Sequence, residues 1–72
     1  MFKKEINGNF EDIYFSIQSI QTELCSIKER LRNLNKLGLD TDEEIEVLNG
    51  IALQVARLNV KTNKNFKKWR AI

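Results

Sequence analysis

The chain has 72 residues, with no proline, no histidine, three glycines, a single cysteine and a formal net charge of +2. A chain this short forms one small domain, which buries only about 60% of its unfolded surface and is marginal without reinforcement. One cysteine excludes an internal disulfide, and without histidine a zinc site or an acid–base pair has almost no residues to draw on, so the sequence reads as noncatalytic, with no cofactor and no metal.

Phe10, Ile13, Ile17, Ile20, Leu24, Ile27, Leu31 and Leu34 follow one another at alternating spacings of three and four. That is the a/d pattern of a heptad helix, sustained without interruption. Asn9 is placed to cap its start, and Glu11 and Asp12 fall in the first turn, where the helix dipole favours acids. Lys36 sits in the last turn, and Gly38 is the expected left-handed residue of a Schellman ending, with Leu39 returning towards Leu34. The first helix is therefore predicted over about 10–37 and the turn over 38–41.

Thr41-Asp42-Glu43-Glu44 reads as a capping box, the threonine hydroxyl taking the Glu44 amide and Glu44 reaching back to Thr41. Ile45, Leu48, Ala52, Val55, Asn59, Thr62, Phe66 and Trp69 then repeat the three–four spacing, which predicts a second helix over about 42–69. A linker of three or four residues returns the chain antiparallel. Pairs such as Phe10 with Trp69, Ile17 with Thr62, Leu24 with Val55 and Leu31 with Leu48 then share one constant sum of residue numbers. Glu11 and Asp12 come opposite Lys67, Lys68 and Arg70, and the bases Lys28 to Lys36 come opposite Asp42 to Glu46, which selects the antiparallel register.

One competing signal lies at Asn49-Gly50, a hairpin-turn dipeptide between alternating apolar residues. A lone two-stranded hairpin is only marginally stable, and the capping residues and downstream heptads favour helix. Asn59 falls inside the seam, where a polar residue fixes register at some cost in stability. Cys25, at a b position with only Lys28 beside it, reads as an unreactive surface thiol or a contact residue.

The fold class that follows is all-α: a two-helix antiparallel coiled-coil hairpin over residues 1–72, dimerising into a four-helix bundle. In outline it is similar to small hairpins that dimerise in this way, including RNA-binding plasmid copy-number regulators. A likeness to the hairpin phosphatases of sporulation response regulators stops at the Gly38-Leu39 turn. Their Ser-Gln-Glu-Leu-Asp stretch is replaced here by Asn49-Gly50-Ile51-Ala52-Leu53, so nothing is carried over.

Two features bear on function. Ile51 and Leu58 widen the seam stripe of the second helix, Leu53 and Val60 form a strip on its other flank, and Tyr14 and Phe15 lie off the seam of the first. These six residues are the candidate protein-binding set, for a second copy or for another protein. No acid follows Glu46, while Arg57, Lys61, Lys64 and Lys68 form one stripe that Arg70 extends. That stripe steers an acidic partner or, in the second reading, holds nucleic-acid phosphates. Membrane contact through Phe66, Trp69 and Ile72 is the weaker use of those aromatics, which have partners in the first helix.

The expected role is a noncatalytic adaptor, inhibitor or assembly factor acting by helix-face docking. Lys, Asn and Ile number eight each, a usage that fits an AT-rich genome and a phage or mobile-element origin. Met1-Phe2-Lys3-Lys4-Glu5 leads into no apolar run, so a cytoplasmic location is expected.

Overall fold

The computed structural model describes residues 2–71, and among them there are two helices: α1 over Phe2–Lys36 and α2 over Asp42–Arg70. They return on one another as an antiparallel hairpin with extents of 57 × 15 × 11 Å between Cα atoms. Asn49 and Gly50 lie inside α2, so the hairpin-turn signal of that dipeptide is overridden by the helix around it.

The turn is built as a Schellman ending. Gly38 takes φ 100°, the Leu39 amide donates to the Leu34 carbonyl at 3.1 Å, and the Gly38 amide donates to the Asn35 carbonyl at 3.0 Å. Only a residue without Cβ holds that φ without strain.

The glycines make opposite predictions. Gly50 is helical, and an added Cβ would meet nothing within 4 Å, so Gly50→Ala should stabilise by about 1 kcal/mol. Gly38→Ala has equal space but should destabilise by about 1–2 kcal/mol, the cost of a left-handed non-glycine residue. Thermal unfolding followed by circular dichroism should move up for the first and down for the second.

Three expectations are corrected. First, α1 begins at Phe2 instead of near Phe10. Asn9 does not cap it: its side-chain amide donates to the Glu5 carbonyl at 2.9 Å within the helix. Ile6 is half-buried and extends the seam stripe by one turn beyond Phe10. Elongating an existing helix adds one bond for each residue fixed, so it outweighs the weak propensity of Asn7-Gly8-Asn9.

Second, the capping box does not form. Thr41 has φ −115° and ψ 19° and makes no side-chain cap bond. The Asp42 amide donates instead to the Asp40 carboxylate at 3.2 Å. Freed from capping, the Thr41 hydroxyl crosses to α1 and donates to the Leu31 carbonyl at 2.8 Å. Asn35 joins it, its amide nitrogen lying 3.3 Å from the Thr41 hydroxyl and 2.9 Å from the Asp42 carboxylate. Thr41 is buried. The polar group expected to start a helix thus ties the two helices together beside the turn.

Third, the seam of α1 is rotated. Phe10, Ile17, Leu24 and Leu31 do face α2, but Gln21, Lys28 and Asn35 are the half-buried residues between and beyond them. The other expected layer stays open: Ile13 is 40% exposed, Ile20 42%, Ile27 47% and Leu34 39%. On α2 the expected stripe holds except at Ala52, which is exposed. The hairpin is closed at its far end by aromatic rings, Phe10 lying 4.7 Å from Phe66 and 6.3 Å from Trp69 between centroids. Phe10 is therefore nearer to Phe66 than to its expected partner Trp69.

The candidate docking surfaces

Two helices side by side leave two broad faces, and α1's rotation makes them unlike. One face is aliphatic. Ile27 shares a groove with Val47 and Ile51, alongside Leu31 and Leu48. Val47, Ile51 and Leu58 line the continuation along α2. The open layer of α1, from Ile13 to Leu34, runs the length of the same face because its residues repeat every seventh position.

The opposite face is polar towards the turn and aromatic towards the open end. Gln21, Lys28 and Asn35 lie on its α1 side. A groove of about 450 Å³ follows, lined by Phe10, Tyr14, Phe15, Phe66, Asn59 and Asn63 among others. Tyr14 and Phe15 meet edge to face, with centroids 5.5 Å apart and planes at 74°, an arrangement that suits the ring quadrupoles. Both remain well exposed.

The outer side of α2 carries the basic stripe. Arg57, Lys61 and Lys64 border a shallow groove with Ala56 and Val60, and Leu53 and Val60 are exposed there. Lys68 is exposed. Arg70 is partly committed elsewhere, its guanidinium lying 5.5 Å above the Phe66 ring. That cation–π contact links the end of the stripe to the aromatic cluster.

The six candidate protein-binding residues therefore fall on three surfaces. Ile51 and Leu58 belong to the aliphatic face, Tyr14 and Phe15 to the aromatic groove, and Leu53 and Val60 to the basic side. The residues missed in the first set are Ile13, Ile20, Ile27, Leu34 and Val47. Four of these were assigned to the core by the heptad spacing, which locates a stripe but not its rotation about the helix axis. Val47 had a usable signal: it stands one turn before Ile51 on the same flank.

Asn59 is half-buried at the rim of the aromatic groove. Thr62 in the adjacent layer satisfies its hydroxyl within α2 by donating to the Leu58 carbonyl at 2.8 Å. Cys25 is free and exposed. Among the described residues no group of three or more Cys, Asp or Glu side chains is placed to hold a metal ion. Among the described residues no helix is long and apolar enough to cross a membrane.

No protein-family model matches the chain, and comparisons with curated proteins and with solved structures give no significant match. The functional reading therefore rests on the side chains and their placement.

Proposed function

We propose that the chain is a noncatalytic protein-binding hairpin that docks through its helix faces and self-associates into a four-helix bundle. Its role is that of a small adaptor, inhibitor or assembly factor, and its richness in Lys, Asn and Ile suits a phage or mobile element. One observation carries this reading: among the described residues only Ile17 and Leu48 are buried hydrophobics, while large apolar side chains stay exposed on both broad faces. Contiguous apolar surface of that kind marks interaction sites in small proteins.

The test is retention of a binding partner by immobilised protein. Wild type should retain a host protein that Tyr14→Glu or Leu53→Glu, with unchanged helicity, releases. A chain that neither self-associates nor retains any protein would end the docking reading.

The exposed Arg57, Lys61 and Lys64 around one groove support a second reading, binding of nucleic-acid phosphates. Simultaneous Lys61→Glu, Lys64→Glu and Lys68→Glu should then abolish retention of DNA or RNA at low salt. Retention by wild type no stronger than by a neutral control protein would eliminate it.

A further inference from the structure

We infer that the aliphatic face is the contact between two copies of this chain, and that the copies lie antiparallel, each turn beside the open end of the other hairpin. The inference deepens the docking reading and rests on it.

The choice of face follows from its chemistry. Ile13, Ile20, Ile27 and Leu34 repeat at every seventh residue of α1, and Val47, Ile51 and Leu58 cover the matching flank of α2. The opposite face carries Gln21, Lys28 and Asn35 at half-buried positions and cannot shed water as cheaply. Size agrees. The overlap, about 45 Å long (some thirty residues of 1.5 Å rise) on a hairpin 15 Å wide between Cα atoms, is about 680 Å² in projection, close to the ~800 Å² per partner of a standard stable interface. A twofold contact is self-complementary by construction, so the same stripe serves both copies.

The choice of direction follows from charge. Residues 1–22 and 59–72, the open half of the hairpin, hold seven basic and three acidic side chains, a net +4. Residues 23–58, the turn half, hold five basic and seven acidic, a net −2. At physiological salt charges interact over only about 8 Å, so each half responds to what lies beside it. Parallel copies would set +4 against +4.

A twofold axis crossing both helices between Ile20 and Ile27 stacks α1 on α1 and α2 on α2 in opposite directions. Ile20 of one copy then lies level with Ile27 of the other. Lys68, at the end of the basic stripe, comes level along the helix axis with Glu43 and Glu44 of the second copy.

Light scattering across a concentration series should give twice the 8.4 kDa chain mass, with the dimer weakening as salt is raised. Ile27→Glu, and separately Leu58→Glu in case the first perturbs α1, should raise the dissociation constant at least about 30-fold, the size of one interface hot spot. Tyr14→Glu on the opposite face should leave it unchanged. Lys68→Glu should weaken the dimer, and combining it with Glu43→Lys and Glu44→Lys should restore it.

Direction is read by spin labels at Lys36→Cys in a Cys25→Ser background. Antiparallel copies place the labels about 40 Å apart, since each lies some thirteen residues of 1.5 Å rise from the axis. Parallel copies place them within about 20 Å, two helix-packing distances. A monomer at every concentration, a dimer broken by Tyr14→Glu but not by Ile27→Glu or Leu58→Glu, or labels within 20 Å would overturn the inference. A monomer that still retains a host protein sinks the inference alone; one that retains none sinks the docking reading with it.

Discussion

Replacing Ile17 by alanine should cost about 3 kcal/mol, enough to unfold a large fraction of the chain at 37 °C. Ile17 is 2% exposed. Truncating a buried isoleucine loses the transfer free energy of its methyl groups and leaves a cavity, together typically about 2–5 kcal/mol. A single core of this size supplies at most about 3–5 kcal/mol, so the substitution removes most of the margin. Urea unfolding followed by helicity measures it. Ile27→Ala is the useful comparison, because Ile27 is 47% exposed within one hairpin. Its cost should be under about 1 kcal/mol in dilute solution, in proportion to the small apolar area it covers. It should grow with protein concentration, because stabilisation by a partner follows mass action. A cost for Ile17→Ala no larger than for dilute Ile27→Ala would contradict the rotated seam.

The second large effect is expected at Thr41. Thr41→Val keeps the shape but deletes the hydroxyl that donates to the Leu31 carbonyl and lies 3.3 Å from the Asn35 amide nitrogen. Each such bond contributes about 1 kcal/mol net, and stranding a partner in a buried site costs more. A loss of about 1.5–2 kcal/mol is therefore predicted. Glu44→Ala should change stability by less than about 0.5 kcal/mol, the range for surface substitutions away from special features. A capping box would behave differently: removing Glu44 would then cost nearly as much as removing the hydroxyl. Equilibrium unfolding of the two variants decides between the crossing bond and the cap.

Much of the fold was legible in the sequence because heptad spacing and the Gly38 ending are both local signals. Unbroken three–four spacing means helix whatever the partner, and a glycine after a lysine-capped apolar stripe means a left-handed stop. What stayed hidden depends on choices between equivalent local solutions. Gln21, Lys28 and Asn35 are polar, so the a/d stripe looked like the whole seam. The aliphatic stems of such side chains can nevertheless cover a helix interface while their heads reach water. Which of two adjacent stripes turns inward is decided by the pairing of the helices, and spacing within one of them is silent about it. The Thr41 hydroxyl posed a similar choice, because a threonine before an acidic turn has the residues for a cap and also the reach for a neighbouring carbonyl. The candidate site was legible to the same degree. Tyr14, Phe15, Ile51 and Leu58 could be recognised as surplus apolar residues, whereas Ile13, Ile20, Ile27 and Leu34 could not.

The polar tie at the turn and the ring cluster at the open end also differ in how far along the chain they reach. The Thr41–Leu31 bond joins residues ten apart, whereas Phe10 and Phe66 are 56 apart (66 minus 10). Loop-closure entropy rises with the logarithm of that separation, so the contacts nearest the turn are the easiest to make first. Each later layer then closes only a short additional segment against one already held. Loop closure therefore favours zipping from Thr41 outward, with the rings of Phe10, Phe66 and Trp69 joining last. In reverse the rings part first, and an opening that spreads from them uncovers the half-buried Phe10 and Phe66 while the turn remains intact.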